Sequence, residues 1–257
     1  MSASQGRFVW YELMSPDAEA AKAFYGKVVG WGTRPAPVPG TDYTLFTAGD
    51  VPVCGVMDLK ACGGDGGQPG WLGYVSVADV DAAADQARRL GATIRMPPTD
   101  IPNVGRFAVL TDPQGAPIAL FRGTDPTQDQ PPDQMAPGRI GWHELATTDR
   151  DASLAFHAAL FGWGKGEAME MGGPVGTYQI VTLGTHMLGG IFAKTPEMPG
   201  PMWTYYINVP SIDAAVARVQ EGGGRVLLGP MEVPGGMWII QATDPQGVMF
   251  ALVGPRA

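Results

Sequence analysis

Hydrophobic and polar residues follow two different periods along this chain, and they take turns. Residues 7–13 (RFVWYEL) read as a half-buried strand. The next stretch opens with Ser15-Pro16-Asp17, a capping hydroxyl, a proline suited to a first helical position and an acid for the first turn. Ala20, Phe24 and Val28 then fall on one helical face, and Gly30 stops the helix. Strand-like runs follow around YTLFTAG and VPVCGVM. WLGYVSV predicts another strand, VDAAADQARRL a helix ended by Gly91, and TIRMP, RFAVLTD and PIALFR three more strands. The DPQG between the last two has hairpin-turn composition.

The whole pattern is then repeated. FVWYELMSPDAEAAKAFYGKVVGWGT (8–33) lies over IGWHELATTDRDASLAFHAALFGWGK (140–165) at an offset of 132, with 10 of 26 positions identical. The same offset carries VADVDAAADQARRLGA onto VPSIDAAVARVQEGGG, and LTDPQGAPIAL onto ATDPQGVMFAL. Each copy divides into two strand–helix–strands patterns, so the fold class expected is α+β, with four βαβββ units. Residues 1–122 form one predicted domain and 140–257 the second. The polar, proline-rich segment 123–139 reads as a linker.

Composition narrows the partners more than the fold. Hydrophobic residues make up 45% of the 257 and charged ones 16%, which suits filled cores. A net charge of −8 without a Lys/Arg cluster argues against nucleic acid or an anionic membrane as partner. No basic, apolar leader opens the chain and no apolar run is long enough to span a bilayer. Cys54 and Cys62 lack CxxC spacing and read as reduced thiols, so a cytoplasmic protein is expected.

With the repeat in place, SPDAEAAKAFYGKVVGW and TDPQGAPIAL, each present twice, resemble the vicinal oxygen chelate superfamily of glyoxalases, extradiol dioxygenases and bleomycin-resistance proteins. The W-x-E-L at both domain starts is similar to a two-domain glyoxalase-like subgroup. The resemblance implies that each domain curls a mixed β-sheet into a cup. It also implies metal ligands at three strand positions per domain. These are a His or Gln fourteen residues before the Phe of FY, a His nine before the Asp of DVD, and a Glu seven after the Asp of DPxG. Transferred to this chain, the positions hold Trp10, Leu72 and Ala119 in the first domain and Trp142, Thr204 and Ala251 in the second. Threonine is a marginal ligand and the other five cannot coordinate. No metal and no other cofactor is therefore expected.

Two of the three histidines sit in the second repeat, beside the lost ligand position. His143 is one residue past that position, so strand alternation turns it towards the covering helix. His157 follows Phe156 on that helix, and the first copy has Tyr11 and Tyr25 in the same places. A structural ring pair is the expectation, and His186 is expected at the surface near a turn. The same alternation turns Glu12 and Glu144 into the cups beside Trp10 and Trp142. Tyr74 and Ser76 join the first cup, and Thr204, Tyr206 and Asn208 the second. Tyr74 and Tyr206 are the expected hydroxyl partners of the glutamates. Each glutamate is either a general base or ligand-orienting group, or an acceptor that fixes the strands. The tryptophans either fill the lost metal's space or stack on a flat ligand.

Three functions remain open. One is a protein that binds or sequesters a small molecule, with aromatic ones among the candidates, without a metal. The second is a metal-independent glyoxalase-type isomerase or lyase with Glu12 or Glu144 as base. The third is a regulatory or assembly protein. The fused copies suit either a monomer or a homodimer.

Overall fold

A computed structural model describes residues 4–36, 43–62, 68–124 and 133–256, with the backbone alone at 61–62. Residues 125–132, eight of the seventeen in the expected linker, lie outside the described residues, as does the Cys62 side chain.

The first copy runs β1 (Phe8–Ser15), α1 (Ala18–Val29), β2 (Gly32–Pro35), β3 (Thr44–Ala48) and β4 (Val51–Asp58), then β5 (Gly70–Ser76), α2 (Val80–Arg89), β6 (Thr93–Ile101), β7 (Gly105–Thr111) and β8 (Pro117–Gly123). The second repeats it as β9 (Ile140–Thr147), α3 (Arg150–Phe161), β10 (Gly164–Glu170), β11 (Thr177–Leu183) and β12 (His186–Ala193), then β13 (Met202–Asn208), α4 (Ile212–Glu221), β14 (Arg225–Val233), β15 (Met237–Thr243) and β16 (Met249–Gly254). Two eight-stranded mixed sheets result, ordered β2-β3-β4-β1-β5-β8-β7-β6 and β10-β11-β12-β9-β13-β16-β15-β14. The α+β class with four βαβββ units is what the periodicities predict. β2 is the addition: its four exposed residues show no apolar alternation, and it forms by pairing antiparallel with β3.

The helices start where side chains satisfy open backbone N–H groups. Asp17, not Ser15, caps α1, its carboxylate accepting from Ala20 N at 2.9 Å. The helix therefore begins at Ala18, beyond Pro16. Asp79, Asp149 and Ser211 cap the other three in the same way. Gly30 and Gly162 end α1 and α3 in the left-handed conformation that glycine adopts without steric cost.

The chain divides into two compact lobes, and each takes half of either copy. The first lobe contains residues through Trp10, the second half of copy one from Leu72, and His143–Trp203. The second lobe contains Tyr11–Trp71, residues 133–142 and the chain from Thr204. In the first lobe α2 lies against α3, where Gln86 Nε2 donates to Ala159 O at 2.8 Å. In the second lobe α1 lies against α4, where Arg218 Nε donates to Val28 O at 2.9 Å.

Candidate functional site

Each candidate glutamate is set by a glycine on the neighbouring strand. In the first lobe Glu144 of β9 stands beside Gly190 of β12 in a parallel pair. A side chain at position 190 would run into the ring of Tyr178, which crosses the strand there. The Tyr178 hydroxyl donates to Glu144 Oε1 at 2.9 Å, and its ring stacks on Phe192 at 5.8 Å. In the second lobe the buried Glu12 stands beside Gly55, and Tyr43 fills the equivalent cradle.

At Glu144 the structure adds a partner that strand alternation did not suggest. Its phenol comes from β11, whereas the Tyr206 hydroxyl accepts from Gln241 Nε2 at 2.8 Å. Tyr43 and Tyr178 are not legible as partners in the sequence, because they stand at or before a strand start. The available signal is a glycine inside an apolar strand, alone at Gly55 and paired with Gly189 at Gly190, which marks a close approach by another group.

Five of the six expected coordinating corners carry indole or alkyl side chains, and the sixth is Thr204. In the second lobe Tyr206 and Ala251 are neighbours across the parallel pair β13/β16. With Ile239 they form a buried cluster against which Trp142, Val233 and Val253 pack. Trp142 and Ala251, two of the three corner residues, thus meet one hydrophobic cluster, and Thr204 is buried. In the first lobe Tyr74 is the neighbour of Ala119 across β5/β8, and its ring meets Phe107 at 6.2 Å and Phe121 at 6.4 Å. Leu72 is buried beside them in sequence, and Trp10 is half-buried. A divalent ion needs several convergent lone pairs, and these indole, alkyl and methyl groups supply none. Among the described residues no group of three His, Cys, Asp or Glu side chains is placed to hold a metal. The residues present do not fit the metal that this fold resemblance implies.

Ser76 and Asn208 are buried, with polar groups engaged by the chain itself. Ser76 Oγ lies 3.1 Å from Ser4 Oγ. Asn208 Nδ2 donates to Gln134 O at 2.7 Å and Arg139 O at 3.0 Å, so it pins the approach to β9. Arg106 is held by Asp81 at 2.7 and 2.9 Å and by Asp100 at 2.8 Å. This guanidinium keeps the Asp81 carboxyl below its ordinary range. Trp238 lies under the Arg256 guanidinium at 4.4 Å.

The two histidines are structural. His143 is buried, stacks on Phe8 at 4.0 Å and directs Nδ1 to Leu188 O at 2.6 Å. His157 is buried, stacks on Trp163 at 5.2 Å and directs Nδ1 to Ser153 O at 2.7 Å. A carbonyl oxygen can only accept, so Nδ1 carries the proton in both rings. Burial outweighs those bonds and depresses both imidazoles to a pKa of about 4, so they are neutral at pH 7. In the other copy Tyr11 packs edge-on against Tyr205 at 5.4 Å, and burial raises its phenol well above the ordinary value. Burial, with the charge of Glu12, likewise pushes the Cys54 thiol up, so it is a protonated core residue. His186 is exposed at the start of β12, as expected.

Comparison with known proteins agrees with the duplicated architecture. The family model of the Glyoxalase/Bleomycin resistance protein/Dioxygenase superfamily matches residues 7–120 and again 139–252. The chain is 32% identical to the "Putative glyoxylase CFP32" of Mycobacterium tuberculosis, over 98% of its own length and 95% of that protein's. It is 30% identical to the "Anthracycline biosynthesis protein DauV" of Streptomyces sp. strain C5, over 98% and 94%. Among solved structures, the Mn(II)-bound glyoxalase from Novosphingobium aromaticivorans superposes with a TM-score of 0.64 at 17% identity, covering 99% of this chain and 83% of that one. The 2,2',3-trihydroxybiphenyl 1,2-dioxygenase from Sphingomonas wittichii gives 0.66 at 14% identity, covering 96% and 89%. These two likenesses concern the fold alone. With its module matched twice in one chain, this protein belongs to the Glyoxalase/Bleomycin resistance protein/Dioxygenase superfamily.

Proposed function

We propose that this protein binds or sequesters a small aromatic molecule, and that it does so without the superfamily's metal in either copy. The observation that carries this reading is the cluster of Trp142 on Tyr206, Ile239 and Ala251, where an ion's ligands would otherwise converge. A half-buried indole beside a hydroxyl–amide pair, Tyr206 and Gln241, is the apolar wall with a few polar handles that a flat ligand requires. In the first lobe Tyr74, Phe107 and Phe121 supply an aromatic wall, and Trp10 is half-buried. Relatives named for anthracycline biosynthesis point the same way, since anthracyclines are fused aromatic rings. The ligand is the partner in this reading, and neither nucleic acid nor a membrane takes part.

A second reading rests on Glu144, which is half-buried with Oε1 held by Tyr178. A carboxylate fixed in this way is oriented to take a proton from a bound α-ketoaldehyde, in metal-free isomerisation.

Titration of an anthracycline against tryptophan fluorescence separates the two. Saturable quenching that weakens at least tenfold in Trp142→Phe supports the binding reading. A flat response to anthracyclines and simpler flat aromatics rejects it. Glu144→Gln that abolishes turnover of an α-ketoaldehyde at unchanged melting temperature establishes the second. Stoichiometric iron, nickel, zinc or manganese in protein purified without chelator contradicts the metal-free premise of both.

A further inference from the structure

The 132-residue register carries a polar cluster from one copy onto the other, with one group exchanged. In the second lobe the Tyr25 hydroxyl joins two partners. It donates to Asp244 Oδ2 at 3.4 Å and accepts from Trp71 Nε1 at 3.4 Å. In the first lobe the same register puts His157, Asp112 and Trp203 in these places. The ring framework is reproduced closely. Tyr25 meets Trp71 at 5.5 Å and 90°, and His157 meets Trp203 at 5.6 Å and 89°. Phe24 stands against Tyr25 at 5.2 Å and 88°, and Phe156 against His157 at 5.1 Å and 90°.

The aspartates are also held alike. Asp112 Oδ1 accepts from Gln114 N at 3.0 Å and Ala116 N at 2.8 Å, and Asp244 Oδ1 from Gln246 N at 2.9 Å and Val248 N at 2.8 Å. Each turn thus commits one carboxyl oxygen and leaves Oδ2 for the interior. Asp244 Oδ2 meets the phenol, whereas Asp112 Oδ2 and His157 Nε2 are buried without a protein hydrogen-bond partner. An imidazole ends at its ring, and a phenol carries its oxygen one atom further. That atom is what the second copy lacks.

The protonation states say what fits there. His157 Nδ1 donates to Ser153 O, so the neutral ring presents a lone pair at Nε2. Asp112 Oδ2 is also an acceptor when the carboxyl is ionised. Two buried acceptors cannot bond to each other, and each loses the water it had in the unfolded chain if left unmet. One molecule with two donors and a free lone pair satisfies both. We infer that the first lobe binds a single internal water between His157 Nε2 and Asp112 Oδ2, in the place of the Tyr25 hydroxyl. It donates one proton to the imidazole nitrogen and the other to the carboxylate. Its oxygen faces the Trp203 indole as the phenol oxygen faces that of Trp71. The water thereby ties α3 of the second copy to the DPQG turn of the first. Ser153 Oγ, which donates to Gln114 Oε1 at 2.9 Å, makes a second tie between the same elements. A metal ion is a poorer occupant, because one nitrogen and one carboxylate oxygen leave its shell unfilled.

The test is a high-resolution crystal structure of the whole chain, read at this site. One spherical, non-anomalous peak about 2.7–3.2 Å from both atoms is expected. The ¹⁵N shifts of His157 should report the Nδ1–H tautomer with an accepting Nε2. His157→Tyr should displace the peak and raise the unfolding midpoint by about 2–4 °C, as the hydroxyl replaces an immobilised solvent molecule. Direct contact of Nε2 with a protonated Asp112, an anomalous metal peak, or a gap without density overturns the assignment. The wild-type density decides the matter if His157→Tyr does not fold.

Discussion

The Tyr25 and His157 clusters share their aromatic geometry almost angle for angle, yet they respond differently to acid. Burial and the Asp244 charge lift the Tyr25 phenol well above its ordinary value, so it stays neutral throughout the working range. Burial lowers His157 to about 4, below its unfolded value of 6.5. Duplication preserved the packing of rings, which depends on shape. The polar end of one ring changed, and with it the proton balance of folding. Shape-determined contacts survive such exchanges because a ring replaces a ring. Hydrogen bonds do not, because they depend on the position of single atoms.

The largest expected effect breaks the symmetry by pH. The unfolded chain takes up protons at His143 and His157 near pH 6.5, and the folded chain only near 4. Their neutral burial is therefore fully compatible with folding above pH 6.5 and increasingly opposed to it as pH falls towards 4. The loss should be on the order of 3 kcal/mol per histidine, read by urea unfolding at pH 7, 6, 5 and 4. Asp112 and Asp244 act in the opposite sense. Burial raises both carboxyls above 3.8, so their cost is relieved as pH falls through their folded values. Tyr25→His should add a further acid-dependent loss, and an unchanged profile for that variant would refute this account of the comparison.

Next in size is a steric difference between the copies. Gly189 lies so close to the β9 backbone that a methyl group would overlap the His143 carbonyl. The corresponding residue before Gly55 is the buried Cys54, which has a side chain. Gly189→Ala should cost about 3 kcal/mol or more, because strand backbone must move, while Cys54→Ala should cost about 1 kcal/mol. Calorimetric midpoints compare the two directly. Tyr178→Phe comes third. Removing the donor to Glu144 should cost about 1–2 kcal/mol, and equal stability of the variant would show that water replaces it without loss. The smallest contrast is at the helix caps. Asp17→Ala and Asp149→Ala should each cost about 1 kcal/mol and differ by less than the error of denaturant titration, since both carboxylates accept at 2.9 Å.

Much of the fold was legible because it is written in short-range pattern. The strand and helix periods, the glycine stop of α1 and the DPQG hairpins depend on neighbours a few residues away. The copy-to-copy identities then doubled each signal. β2 was not legible, since nothing in GTRP alternates and only β3 gives it a place. The inward glutamates followed from alternation, but their surroundings did not. Tyr178 reaches Glu144 from 34 residues away through a cradle at Gly190. Asn208 and Ser76 were expected as cup-lining groups, and they spend their polar atoms on the chain.

Sequence alone thus determined that the chain is a duplicated βαβββ protein, which residues form each face of a strand, and that His143 stands one residue past the expected ligand position. Tertiary structure decided which halves pack together. α2 lies with α3 and α1 with α4, so each lobe draws on both copies. It also decided which buried polar atoms find partners. The reason is one of range. Periodicity is set by bond geometry within a strand or turn of helix, whereas a hydrogen bond between Tyr25 and Asp244 depends on tenths of an ångström between segments 219 residues apart.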